Sequence, residues 1–304
     1  MAERRVRTPS LHSSFVTDQA WQLAHSAAER AGVRLRDLDA PGDADLVREV
    51  IDRVWGEQAP PQELLRALQH AGCVLFGACG DADADIVGFV FGFLGFRDGF
   101  HLHSHMLAVV PERQVAGVGY ALKLAQRAAA LDAGIDEVRW TYDPLAARNG
   151  RFNLGKLGAI ATRFLPEFYG EMIDRLNRGD RSDRFEVRWR LRSEHVTAAL
   201  TGPTGQPPVP AGVVEVLAAD EGERWPRPLA TGATLDRERG AVVVIPADHL
   251  ALRTEDPGLG RAWRDATSEA FEACFRAELV ATTFVTPGPG LGGYLFERRG
   301  ADTR

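Results

Sequence analysis

A glycine pair that follows an apolar run carries the most legible chemistry in this chain. The run from His101 to Val110 ends at Pro111, and Gly117 and Gly119 open an amphipathic stretch that continues through Tyr120, Ala121 and Leu122. Backbone N–H groups in the first turn of a helix have no helical partners and lie at the positive end of its dipole. Glycines let a phosphate approach that backbone, and Arg113 adds a full charge beside it. The spacing suits an oxyanion, although glycine is common in any turn that precedes a helix. A dinucleotide fingerprint is rejected. That motif sets its first glycine directly after a strand, whereas a turn with Pro111, Arg113 and Gln114 intervenes here and the preceding strands look antiparallel.

Other reactive side chains give weaker patterns. His101, His103 and His105 alternate, so in a strand all three share one face, with neighbours about 7 Å apart. Three in a flat row suit a tetrahedral metal poorly, and no Cys/His partner is evident, so no metal is expected. Simple strand polarity competes with a base or substrate contact by His103 or His105. Cys73, Cys79 and Cys274 are too few and too scattered for a disulfide framework or zinc knuckle. Lysine occurs only as Lys123 and Lys156, so Schiff-base chemistry has few places to live.

Composition narrows the class. The chain has 304 residues, about two domains' worth, with 45% hydrophobic and 26% charged residues. A net charge of -6 argues against a nucleic-acid surface. The longest apolar run, Ile86 to Phe96, is broken by glycines and falls short of the roughly 20 residues that span a bilayer. No secretory signal is read at Met1–Arg7, so neither membrane nor export is expected and the reducing cytoplasm is the default.

The elements that must position these residues follow from periodicity. Helices are predicted over Thr17–Ala31, capped by Thr17 and Asp18, over Asp43–Trp55, and in a short segment through Leu64, Leu65 and Leu68 after Pro60-Pro61. A short strand is predicted at Val33–Leu38. Three consecutive antiparallel strands are expected at Cys73–Cys79, Asp85–Phe96 and His101–Val110, with Arg97-Asp98-Gly99 supplying one turn. A helix over Gly117–Ala133, a strand at Glu137–Tyr142, a helix over Ala147–Leu157 and a strand at Phe185–Leu191 complete a domain of residues 1–200. The turn-forming stretch 201–212 reads as a linker or long loop. Beyond it a smaller α+β piece, 201–304, has strands near Val213–Leu217, Ala241–Ile245, Val280–Val285 and Gly292–Glu297 and a core-facing helix over Gly260–Leu279. The glycine run Gly288 to Gly293 joins two strands and opens no helix, so it reads as a flexible loop. The expected class is mixed α/β, or α+β, with a mostly antiparallel sheet flanked by helices.

The segment Gln114-Val-Ala-Gly117-Val-Gly119 resembles the pyrophosphate-loop signature Arg/Gln-x-x-Gly-x-Gly/Ala of the GCN5-related N-acetyltransferase (GNAT) superfamily. Val109-Val110-Pro111 before it, Ala121-Leu122 after it and the order of elements over Val33–Leu191 are also similar. The residues Tyr142-Asp-Pro-Leu145, Arg148-Asn149, Asn153-Leu154 and Phe168-Tyr-Gly170 look like a subgroup of acyltransferases similar to amino-acid N-acyltransferases.

The resemblance implies an acyl-CoA co-substrate, acetyl-CoA or succinyl-CoA, and a small-molecule amine acceptor, an amino acid among them, that attacks the thioester directly. A pantetheine arm would enter between the strands at His101–Val110 and Glu137–Tyr142. Backbone groups near Leu107 and Val109 would bond it and polarise the thioester oxygen. Arg113, Gln114, Val115, Ala116, Gly117, Val118, Gly119 and Tyr120 would hold the pyrophosphate, and Asn149 or Asn153, on one helix face, the pantetheine. Tyr169 would protonate the departing thiolate, although the tyrosine typical of the family lies on the helix, where this chain has Leu154 and Ala159. His105 would serve as base, and Glu57 lies where the family builds its acceptor pocket. The C-terminal piece would complete the sheet or wall that pocket. A non-catalytic acyl-CoA sensor and a protein or peptide N-acetyltransferase are the rival readings, and homodimerisation stays open.

Overall fold

The computed structural model describes residues 11–56, 59–80, 85–114, 117–172, 174, 178–202, 205, 207–220, 224–298 and 300. They form two compact units, one through Val138 and one from Arg139. The turn-rich stretch 201–212 falls inside the second unit, while the division itself lies at the strand Glu137–Tyr142.

In the first unit, helix α1 (Leu11–Arg30) leads to strand β1 (Arg34–Asp37), helices α2 (Asp43–Val54) and α3 (Gln62–His70), strands β2 (Val74–Cys79), β3 (Ile86–Gly95) and β4 (His101–Val109), a 3-10 turn at Pro111–Arg113, and helix α4 (Val118–Asp132). α1 begins well before Thr17, so Thr17 and Asp18 are not its caps. The alanine face Ala20, Ala24, Ala27 and Ala28 is buried against α4, and this packing extends the helix. The strands are antiparallel in the order β1-β2-β3-β4.

The β3–β4 hairpin turns at Asp98 (φ 57°) and Gly99 (φ 98°), two left-handed residues in succession, the conformation that matches strand twist. One face of this sheet packs Phe89 and Phe91 on Val47, Val50 and Ile51 of α2. The other face meets α4, where a Cβ on Gly92 would lie 2.9 Å from the Gln126 amide. β4 carries one extra residue against β3. Met106 pairs with Phe91 and Ser104 with Gly92, which leaves His105 as a β-bulge.

In the second unit, strand β5 (Glu137–Tyr142) is followed by helix α5 (Ala147–Gly150), which runs directly into a π-helical turn at Arg151–Lys156. Strands β6 (Ile160–Leu165) and β7 (Arg184–Arg190), helix α6 (Glu194–Thr201), strands β8 (Val214–Asp220), β9 (Arg227–Ala230) and β10 (Ala241–Pro246), helices α7 (His249–Glu255) and α8 (Pro257–Arg276), and strands β11 (Leu279–Val285) and β12 (Leu291–Arg298) follow. Their order is β5-β7-β6-β11-β12-β10-β8-β9. β11 pairs with β6 through Ala281 and Ala161, so the C-terminal strands continue the sheet that β6 and β7 begin. β8 and β10 are parallel, whereas the β6–β7, β11–β12, β10–β12 and β8–β9 pairs are antiparallel.

α8 presses Phe271 and Cys274 on this sheet, among Phe185, Tyr294 and Phe296. Gly292 is required there, because a Cβ would lie 2.5 Å from the Phe284 ring. The class is therefore mixed α/β with mostly antiparallel strands. No described helix is long and apolar enough to cross a membrane.

Candidate functional site

β4, the turn after it and α4 bring most of the expected site together. Gly117 is the N-cap of α4 and adopts φ 85°, a left-handed conformation that L side chains rarely tolerate. Its carbonyl accepts from the N–H groups of Tyr120 (3.0 Å) and Ala121 (3.1 Å) and so starts the helix. Val118 is buried and holds the first turn down, while Gly117 lies exposed above it. A Cβ on Gly119 would meet Val109 and Leu107 at 3.7 and 3.8 Å, so this turn packs closely on β4. Val115 and Ala116 lie outside the described residues.

The two polar residues before the glycines are already engaged. Gln114 donates through Nε2 to the Val109 carbonyl at 3.2 Å, which ties the turn back to the end of β4. Arg113 donates to the carbonyls of Ala31 (3.3 Å) and Gly32 (3.1 Å), the orphan acceptors at the end of α1. Its guanidinium thus joins α1 to the turn. Leu107 and Val109 stand in β4 opposite Val90 and Gly88.

The histidine row is not uniform. His101 is buried and its Nδ1 lies 2.9 Å from the Gly99 carbonyl, beside Gly95. His103 and His105 have ring centroids 6.2 Å apart and flank Phe93 at 5.3 and 5.9 Å, with Phe91 6.1 Å from His105. Desolvation, followed by the neighbouring His105, His101 and Lys123, pushes His103 down to about 4. Desolvation also lowers His105. At neutral pH both imidazoles are therefore uncharged. Among the described residues no group of three or more His, Cys, Asp or Glu is placed to hold a metal ion. Glu57 lies outside the described residues.

The remaining candidates belong to the second unit. Asn149 is exposed, whereas Asn153 is buried, with its carbonyl accepting from Ala159 N–H at 2.9 Å. The two lie on either side of the change from α-helix to the π-helical turn at Arg151–Lys156. Tyr169 lies in the turn after β6, 46% exposed, with its hydroxyl 3.2 Å from Thr141 Oγ1 on β5. Its backbone N–H donates to Ser182 Oγ (3.0 Å), and the Arg184 guanidinium lies 5.4 Å from its ring centroid.

Sequence reasoning missed what holds this turn. Arg264 of α8, 2% exposed, donates to both carboxylate oxygens of Asp143 (2.8 and 3.0 Å) and to Asp180 (3.0 and 2.5 Å). Arg181 donates to the Arg264 carbonyl (3.1 Å) and pairs with Asp183, whose other oxygen accepts from Glu167 N–H at 3.0 Å. A continuous polar chain therefore runs from α8 to the Tyr169 turn. Burial tends to raise the Asp143 carboxyl, but the charge and hydrogen bonds of Arg264, with the Leu145 N–H and Arg184, hold it below the usual carboxylate range. The only local signal was Asp143-Pro144 closing β5; its partner Arg264 lies 121 residues away in the sequence, and Asp180, which shares that arginine, lies 37 away.

Together the fold and the turn define a mixed α/β protein whose first unit ends a bulged strand in a left-handed glycine and a helix N-terminus. No family model matches the chain, and no curated protein sequence matches it. Among solved structures, it is similar to a GNAT-family acetyltransferase from Desulfovibrio desulfuricans, with 21% identity over 52% of this chain and 99% of that one and a TM-score of 0.42. It is also similar to the ribosomal-protein-S18-alanine N-acetyltransferase of Escherichia coli (14% identity, 52% and 94% of the two chains, TM-score 0.42). A third is Naa20 of Chaetomium thermophilum, solved with a bisubstrate analogue (19% identity, 54% and 92% of the chains, TM-score 0.43).

Proposed function

We propose that this chain is an acyl-CoA-dependent N-acyltransferase of the GNAT kind, with acetyl-CoA or succinyl-CoA as donor and a small-molecule amine, an amino acid among them, as acceptor. The observation that carries the reading is Gly117. A left-handed glycine caps α4 at the position where the segment Gln114 to Gly119 calls for a phosphate-binding turn. The first N–H groups of α4 would then meet a pyrophosphate with no side chain at Gly117 in the way.

In the proposed reaction the acceptor nitrogen attacks the thioester carbonyl. A C–N bond forms, the C–S bond breaks, and the amine proton passes to a base as the thiolate leaves. His105, lowered by burial and neutral at pH 7, is the base assigned to that proton. Tyr169 is the acid assigned to the thiolate. Backbone groups at Leu107 and Val109 are assigned to the pantetheine and the developing oxyanion, and Asn149 and Asn153 to further cofactor contacts.

Thermal unfolding with CoA, acetyl-CoA, succinyl-CoA and NAD added separately tests the donor class. A ligand at about 100 times its Kd adds roughly 2.7 kcal/mol, a shift of several degrees in a chain this long. CoA compounds are expected to shift the transition and NAD is not. A Gly117→Val variant, strained at φ 85°, is expected to keep its circular dichroism spectrum and lose the CoA shift. An unchanged CoA affinity in that variant would overturn the assignment of the turn.

A further inference from the structure

Helix α1 reaches the glycine turn of α4 and brings a cation with it. Its alanine face packs on α4, and its last residue is Arg30. The chain then passes through Ala31 and Gly32 (φ 63°) into β1. Ala31 borders the turn directly, since a Cβ on Gly117 would lie 3.9 Å from the Ala31 methyl. Arg113 fastens this approach. One of its terminal nitrogens donates to the carbonyls of both Ala31 and Gly32, and its Nε is buried. The arginine expected to serve a phosphate therefore acts on the protein, where it ties the end of α1 to the turn.

Arg30 is a different case. It is exposed, and among the described residues its guanidinium makes no hydrogen bond or ion pair. Tyr120, half-buried in the first turn of α4, lies within its field: burial raises the phenol, and the charges of Arg30 and Arg127 oppose that rise. Arg127 is buried two turns further along α4, so Arg30 is the solvent-facing cation of the two. The end of α4 supplies N–H groups and the equivalent of roughly half a positive charge, too little to match a pyrophosphate alone. We infer that Arg30 contacts the pyrophosphate of the donor and that α1 forms one wall of the donor site. The inference rests on the acyl-CoA reading above and extends it to a helix that precedes the segment Val33–Leu191, over which the family resemblance runs.

The test is calorimetric titration of the whole chain, and of its Arg30→Gln and Arg30→Lys variants, with CoA and separately with dephospho-CoA. The second ligand keeps the pyrophosphate and lacks the 3′-phosphate. Arg30→Gln is expected to weaken both ligands by the same factor, about tenfold, as the loss of a charge-assisted hydrogen bond does. Arg30→Lys, which keeps the charge without the planar fork, is expected to recover part of that loss. The gap between wild type and Arg30→Gln is expected to narrow as sodium chloride rises from about 0.05 to about 0.5 M, which a change in packing would not produce. Failure of the wild type to bind either ligand would overturn the acyl-CoA reading itself. Wild-type binding that Arg30→Gln matches, or a loss confined to CoA, would overturn this inference and leave that reading standing.

Discussion

Two buried cations, one in each unit, show opposite solutions to the same problem. Lys123 of α4 and Arg264 of α8 are each 2% exposed. Lys123 donates to neutral oxygens, Ser104 Oγ at 3.0 Å and Gln126 Oε1 at 2.8 Å, and desolvation drives it well below its usual range. Arg264 also loses hydration, but Asp143 and Asp180 outweigh that loss and hold it above its usual range. A lysine can escape burial by releasing its proton, whereas an arginine cannot and must bring carboxylates with it. The first unit therefore buries an amine as one more hydrogen-bonding group in its core. The second buries a charge cluster that fixes the segments carrying Asp143 and Asp180.

The largest expected effect breaks the second solution. Arg264→Met removes the cation that Asp143 and Asp180 share and leaves Asp180 only Arg253 at 3.8 Å; removing one member of a buried ion cluster costs about 3–5 kcal/mol. Urea unfolding at pH 7 should show that loss, and the triple variant with Asp143→Asn and Asp180→Asn should recover a large part of it. A loss below about 1 kcal/mol in the single variant would mean that the cluster does not organise the second unit.

What could be read from the residues divides along the same line. The β3–β4 hairpin was legible because Asp98 and Gly99 are turn chemistry in adjacent positions, and α4 was legible because glycines bracket it at Gly117 and Gly134. Those are local constraints on φ. β6, α6, β9 and α7 were not anticipated. They are four to eight residues long, and β9 contains Pro228, so pairing and packing rather than local preference define them. The same holds for the site. Gly117 announced its turn, whereas the neutralisation of His103 depends on residues 91–105 folding into one aromatic face. The joining of Arg264 to Asp143 depends on a contact across 121 positions, and no periodicity encodes that.

A smaller effect sharpens the first solution. A lysine whose folded pKa lies below its unfolded value releases a proton on folding. Between those two values the unfolded state binds more protons, so stability rises with pH until about 10.5. Each unit of pH in that window is worth up to about 1.4 kcal/mol from this residue. Wild type and Lys123→Met unfolded in urea at pH 8, 9 and 10 should therefore diverge, with the wild type gaining on the variant at each step. Parallel pH profiles would show that Lys123 keeps its charge inside the fold, and the contrast with Arg264 would disappear.

The smallest effect tests the acid side of the cluster. Asp143 is held below the usual carboxylate range, so the stability it contributes is fully present above its unfolded value of 3.8 and is lost as pH falls through its lower folded value. Asp143→Asn still leaves Arg264 its two bonds to Asp180, so the expected loss at pH 7 is only about 1–2 kcal/mol. That gap should stay constant from pH 7 to about 5 and close as both proteins are acidified below the unfolded value. A gap that persisted unchanged to pH 2 would show that the asparagine disturbs packing at the end of β5 rather than removing a charge. The cluster would then be held by shape at Pro144, whose carbonyl accepts from the Tyr294 hydroxyl at 2.7 Å, and not by the Asp143 carboxylate.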